Sequence, residues 1–295
     1  MSTTNTGSSS HRSPASGSFP GVPSRPADVA RILDAIGVVP SRRWGQSFLV
    51  DPFVADAEAA LVAVPPGTPV LEIGGGLGLL TAALLRRGIG PLTVVERDRR
   101  LAQFLRTTFG DRITVLEADA LAIDLPPAGC VVGNLPFWHS TSILLRLFEA
   151  RAPYVVAMVQ QEVAERVGAT SGSRAYGRLS IIARLYGTPE LFLRVPSESF
   201  YPVPEVSAQV LVHSARKGPL PVPSVERLEH VVRMLFSSRR KQLGNLLSRV
   251  ATVPGEVDIV VRDARWPDNW SSLRPEDLDP EAYFRLATVL ENRAK

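Results

Sequence analysis

Asn134-Leu135-Pro136-Phe137, at the end of the apolar run Val131-Val132-Gly133, puts a side-chain acceptor, a stiffened turn and a flat ring within one tetrapeptide. That combination suits methylation of an exocyclic amine on a nucleobase, a weak nucleophile whose lone pair is delocalised into the ring. The Asn134 side-chain oxygen and the Leu135 carbonyl can accept the two N–H bonds of an adenine amine, so that its nitrogen pyramidalises toward a methyl donor. Pro136 stiffens the turn and Phe137 offers a stacking face. Catalysis of this kind rests on positioning and electrostatics and needs no strong base. A plain turn with a buried Phe is the competing reading.

Upstream, Leu71-Glu72-Ile73-Gly74-Gly75-Gly76-Leu77-Gly78 follows a strand-like run and opens a helix-like one. Gly74, Gly76 and Gly78 let the backbone turn tightly and approach a ligand, while a helix N-terminus offers unpaired N–H groups to an anion. A dinucleotide fold wants the third glycine one position later, where Leu79 stands. The spacing therefore fits S-adenosylmethionine better, with a simple glycine turn as the alternative. Glu96 ends the next apolar run, where a carboxylate can accept both ribose hydroxyls. Asp119, followed by Ala120, ends the third and can accept the N–H of an adenine amino group. Each acid alone reads more readily as a strand-end acid or a helix cap, but both at consecutive strand ends after the loop point to a cofactor.

These residues need a scaffold that brings several loops to one edge. Short apolar runs alternate with helical stretches: Val70 to Ile73, then Leu77 to Arg87; Leu92 to Val95, then Arg97 to Phe109; Ile113 to Leu116; Val131 to Val132, then Thr141 to Ala150; Val155 to Val159, then Gln160 to Val167. The rhythm predicts a parallel doubly wound sheet, whose carboxyl edge is where such folds bind ligands. Leu191 to Val195 and Gln209 to His213 lack a crossover helix between them and read as an antiparallel edge pair. Ala27 to Gly37 reads as an amphipathic helix, and a second helix opens at Asp51-Pro52.

Lys217 to Pro223 is Pro and Gly punctuation, beyond which Val225 to Phe236, Gln242 to Val250 and Pro280 to Asn292 are helical in period. The expected class is α/β: a Rossmann-like S-adenosylmethionine-dependent methyltransferase domain over residues 26–216, followed by a smaller all-helical C-terminal domain over residues 217–295. Residues 1–25 are Ser, Thr, Gly and Pro with two arginines and no acid, and read as a disordered tail.

With 295 residues and 45% hydrophobic content the chain can build an ordinary core. Its apolar runs fall far short of the roughly 20 residues that span a bilayer, so a soluble protein is expected. Cys130 has no partner in the chain, and the four histidines are scattered, so neither a disulfide nor a metal site is expected. A net charge of +4 is compatible with a polyanionic partner without demanding one. Arg42-Arg43 and Arg239-Arg240-Lys241 are candidate phosphate contacts, or else solvated faces.

Taken together, the chain beyond its tail resembles the ribosomal RNA adenine dimethyltransferase family of KsgA and Erm type. Trp44 to Asp51, Glu72 to Gly78, Glu96, Asp119 and Gly133 to Phe137 carry the resemblance, with Met158 to Arg166, Tyr176 to Ser180, Ser199 to Val206 and Phe236 to Leu247 downstream. The downstream set and Leu273 to Leu278 are closer to the KsgA branch. The resemblance implies transfer of methyl groups from S-adenosylmethionine to N6 of adenine, twice per base. In that branch the targets are two adjacent adenines in the 3′-terminal hairpin loop of small-subunit rRNA, where a loop base costs less to extrude than one in a duplex.

It implies further that Phe200 helps Phe137 sandwich the target base, that Gln46, Ser47 and Leu49 lie at the cofactor, and that the helical domain grips rRNA within a small ribosomal subunit or its precursor. Two alternatives stay open: an Erm-like large-subunit enzyme conferring macrolide resistance, and a ribosome-assembly factor whose methylation is weak or lost. The chain also departs from the family. Ser47 replaces a usual Asn, Gly75 a common Pro, and Trp138-His139 the usual Asn and Ile, which bears on the adenine chosen and on room for a second methyl.

Overall fold

The computed structural model describes residues 19–41, 46–247 and 256–293. Seven strands form one mixed sheet: β1 (Val70–Ile73), β2 (Leu92–Glu96), β3 (Thr114–Glu117), β4 (Cys130–Asn134), β5 (Tyr154–Gln160), β6 (Gly187–Val195) and β7 (Ala208–Ala215). They lie in the order β3-β2-β1-β4-β5-β7-β6. The first five are parallel, and β1, β4 and β5 are buried almost without alternation because helices cover both faces. The antiparallel pair expected at an edge forms, but β7 is not the edge. It enters between β5 and β6, antiparallel to both, because the short connection after β6 contains no crossover helix to carry the chain back.

On one face α2 (Pro52–Ala60), α3 (Leu79–Arg86) and α4 (Arg99–Phe109) pack Ala55, Ala83, Leu84 and Leu105 against Val94, Val132 and Val156. Local chemistry sets their starts. Asp51 accepts from the Phe53 N–H with Pro52 in the first turn of α2, and Asp98 caps α4 through the Arg100 N–H. The other face carries α5 (Ser140–Glu149), α6 (Gln161–Gly168) and α7 (Arg178–Tyr186). No helix is expected over α7 from the sequence, because Leu179 to Ala183 are all buried and leave no polar stripe to mark a period.

The C-terminal residues are helical, with α8 (Val225–Phe236), α9 (Leu243–Leu247), α10 (Glu256–Asp263) and α11 (Pro280–Arg293). They do not build a core of their own. Leu228, Val232, Leu235 and Tyr283 join Val167, Leu179, Ile182 and Tyr186 in one continuous apolar cluster. The transition near residue 217 is therefore a change of secondary structure without a break in packing. The end of the helix expected to run to Val250 lies outside the described residues.

So does most of the expected tail, which is described only from Phe19. There it is packed: the Phe19 ring lies 5.3 Å from that of Phe109, with the Arg112 guanidinium 4.9 Å above it. Composition does not reveal this seat because a single aromatic ring supplies it. Before α1 (Pro26–Ala35), Pro23 is also buried. No helix among the described residues is long and apolar enough to cross a membrane.

Candidate active site

Parallel pairing brings the carboxyl ends of β1 to β4 to one edge. The turn after β1 holds Gly74, Gly76 and Gly78 at φ of +80°, +53° and +80°, the left-handed region that favours glycine. Gly76 N–H donates to Glu96 Oε2 at 2.9 Å, and Asp98 N–H donates to Oε1 at the same distance. The carboxylate of Glu96 thus ties the loop to β2. Burial raises its pKa, partly opposed by these backbone donors. Asp119 Oδ1 accepts from the Leu121 N–H at 2.9 Å, and Oδ2 lies 3.3 Å from Arg97. A carboxylate so held keeps lone pairs for a further donor.

A cavity of about 470 Å³ lies at this edge. Gly74, Gly76, Glu96, Asp119 and Ala120 line one end, and Asn134, Leu135, Pro136, Phe137 and Phe200 the other. Gln46, Ser47 and Leu49 complete the wall, brought there by antiparallel pairing of Phe48–Leu49 with Phe200–Tyr201. Gln46 Oε1 is held by the Ser41 N–H at 3.0 Å. Gly78 is placed differently from the expectation. It lines no cavity, and a Cβ there would lie 2.5 Å from the Phe109 ring, so it is a packing glycine at the start of α3. Gly75 has the same kind of cause: a Cβ would meet Val94 at 2.4 Å.

At the other end, Gly133 precedes Asn134 because a Cβ would collide with the Ile73 carbonyl oxygen at 2.3 Å. Leu135 N–H donates to the Met158 carbonyl, and His139 N–H to that of Pro136, which close the turn into α5. Phe137 and Phe200 meet edge to face, with centroids 6.3 Å apart and planes at 66°. Phe200 is buried, and the two rings do not stand as parallel plates. Trp138 is 72% exposed and lines no part of the cavity, so its bulk does not narrow the acceptor end.

The side-chain amide of Asn134 faces a residue that sequence reasoning missed, Glu58 of α2. With its nitrogen toward Glu58, the amide donates to Oε2 at 2.8 Å and Oε1 at 3.3 Å. Glu58 is fully buried, and burial, then the charge of Glu72, raises its pKa well above the usual carboxylate value. Glu72 is buried beside it, accepts from Thr81 Oγ1 at 2.7 Å, and has its pKa raised by burial to about 8. In the sequence, Asp56-Ala57-Glu58 looks like a solvated face. The available signal was that Glu58 shares a helical side with Val54 and Ala55, both buried.

The candidate RNA contacts divide. Arg42 and Arg43 lie outside the described residues. Arg239 is not free for phosphate: its Nε donates to Glu276 and its Nη2 to the Ser173 carbonyl at 3.1 Å, joining the end of α8 to two loops. Arg240 and Lys241 are exposed. Among the described residues no group of three or more His, Cys, Asp or Glu side chains is placed to hold a metal ion.

A seven-stranded sheet with one inserted antiparallel strand, a glycine turn gripped by Glu96 and an acid at the next strand end define a Rossmann-like methyltransferase. A match to the ribosomal RNA adenine dimethylase family extends over residues 40–260, and the chain belongs to that family. It is an S-adenosylmethionine-dependent rRNA adenine dimethyltransferase.

The chain is 38% identical over 270 residues to a probable ribosomal RNA small subunit methyltransferase A of Natronomonas pharaonis, covering 89% of this chain and 97% of the relative. It is 40% identical over 223 residues to ribosomal RNA small subunit methyltransferase A of Paracidovorax citrulli, covering 72% and 86%. Among solved structures, the fold is similar to a dimethyladenosine transferase from Plasmodium falciparum (TM-score 0.71, 22% identity, 84% of this chain and 98% of that one). It also resembles the 23S rRNA methyltransferase ErmE (TM-score 0.65, 27% identity, 83% and 99%).

Proposed function

We propose that the protein dimethylates N6 of two adjacent adenines in the 3′-terminal hairpin loop of small-subunit rRNA, acting in the cytoplasm on the small ribosomal subunit or its precursor. The names carried by its relatives support the small subunit over the large. The observation that carries the site reading is that Asn134 and Phe137 share one cavity with Glu96 and the glycine turn. The buried acceptor at Glu96 and the bare backbone at Gly74 and Gly76 fit S-adenosylmethionine, which supplies an electrophilic methyl group on its sulfonium.

In this reading Glu96 accepts the ribose hydroxyls and Asp119 the adenine amino group, with Ala120, Gln46, Ser47 and Leu49 enclosing the rest. Asn134 Oδ1 and the Leu135 carbonyl accept the N–H groups of the target adenine, whose ring stacks on Phe137. Pro136 holds that geometry, and Phe200 supports Phe137 from below. Arg240 and Lys241, with Arg42 and Arg43 at the other end of the chain, contact phosphates.

The test is methylation of undermethylated small ribosomal subunits, with primer extension across both rRNAs and mass spectrometry of the modified nucleoside. Dimethyladenosine at two adjacent small-subunit positions is expected. In Asn134→Ala the rate should fall about 100-fold or more, as for loss of one preorganised hydrogen-bonding group. Stops confined to large-subunit rRNA would replace this reading with an Erm-like one.

A further inference from the structure

We propose that Glu58 is a positioning residue for Asn134: its carboxylate holds the amide nitrogen, which leaves Oδ1 facing the target amine. The proposal rests on the reading of Asn134 given above. An Asn amide is an acceptor on one side and a donor on the other, and its own shape does not distinguish them. Only the oxygen can accept from an adenine N–H. A carboxylate has no donor, so an ionised Glu58 at 2.8 and 3.3 Å admits only the nitrogen. Once protonated, Glu58 carries a donor beside its remaining acceptor and can bond either Oδ1 or Nδ2, so the amide is no longer held with Oδ1 toward the amine. The charge on Glu58 therefore fixes which face of Asn134 the substrate meets, and its loss leaves both open.

The surroundings of Glu58 disfavour its charge and so favour the uptake of a proton. Glu72 on β1 is the charged group that acts on it, and Thr81 Oγ1 on α3 is committed to Glu72. Other charged groups on neighbouring elements are turned outward or paired. Arg86 of α3 holds Asp56 at 2.6 Å, Arg87 is exposed, and Glu190 and Arg194 of β6 are exposed. Cys130 on β4 is a neutral thiol, with its pKa pushed by burial to about 12. No cation in this set offsets the burial of Glu58, in keeping with the upward direction of its pKa.

Two variants separate orientation from packing. Glu58→Gln presents one acceptor and one donor at every pH, as protonated Glu58 does, and Glu58→Leu removes both. Single-turnover methylation of undermethylated small subunits is followed between about pH 6 and 9, with S-adenosylmethionine affinity measured by calorimetry. In ligand-free protein carrying ¹⁵N-asparagine, the Asn134 amide signal, assigned by its absence in Asn134→Ala, is titrated over the same range.

The wild-type rate should fall about twofold or more to an acidic plateau as Glu58 gains its proton, and the amide signal should move in step. Both dependences should vanish in Glu58→Gln, whose rate at every pH should lie within about twofold of the wild-type rate at the acidic end. Glu58→Leu should lose about tenfold or more in rate at every pH, with cofactor affinity within about threefold. An acidic limb and amide titration that persist in Glu58→Gln, or a wild-type rate in Glu58→Leu, would overturn the proposal. Should Glu58→Leu not fold, the Glu58→Gln profile and the amide titration still decide. Full activity in Asn134→Ala would instead remove the role assigned to Asn134 itself.

Discussion

Glu72 is buried between β1 and α3 with Thr81 as its hydrogen-bond donor and no cation beside it among the described residues, and its pKa is raised to about 8. A carboxyl whose folded pKa exceeds its unfolded one stabilises the fold fully below the unfolded value, and that contribution is lost as pH rises through the folded value. Stability should therefore decline from about pH 4.5 to 8, the interval between the unfolded carboxylate value and the folded one. Glu72→Gln should flatten this decline in urea denaturation, exceeding wild type by about 1–3 kcal/mol at pH 8 and converging with it near pH 5. Trp138 gives the opposite case, a large ring left in water beside the acceptor end. Trp138→Ala should leave the melting temperature nearly unchanged while weakening rRNA binding about fivefold or more, the loss expected when a base loses a stacking partner. A titration of binding that shows no change would leave this ring without a role in recognition.

Among the elements, α8 and α11 are held by burial against α7 and by Arg239 against Glu276. Leu235 is fully buried in that contact, so Leu235→Ala should cost about 2–5 kcal/mol in chemical denaturation. Arg239→Ala should destabilise while leaving the salt dependence of rRNA binding intact. Arg240→Ala should do the reverse, lowering the slope of log affinity against log salt by about 1. Much of this level is legible in the sequence. The rhythm of strand-sized runs, the glycine turn and the acids at Glu96 and Asp119 announce the parallel half of the sheet, since each is a local pattern. What is not legible depends on packing between distant segments. The apolar surround of α7 hides its period, the place of β7 is set by its neighbours on both sides, and Arg239 looks like a phosphate ligand until Glu276 is brought beside it. Glu58 escapes notice for the same reason, as an acid in a polar-looking stretch whose surroundings come from β1 and β4.

As a whole molecule, the protein has an apolar cluster that runs unbroken from the sheet into the C-terminal helices, which argues for one cooperative unfolding transition by calorimetry. A chain ending at Arg216 would expose Leu179, Ile182 and Tyr186 and should aggregate. The residues just ahead of α1 tie into the same packing. Phe19 rests on Phe109, and Phe109 is the ring that leaves no room for a side chain at Gly78. The turn proposed to receive the cofactor is thus shored up from beneath by Phe19, part of a region that trimming for expression or crystallisation would be tempted to discard. A version beginning at Pro26 would keep every residue of the cavity and still hold its ligand less tightly, a defect that inspection of the cavity alone would leave unexplained.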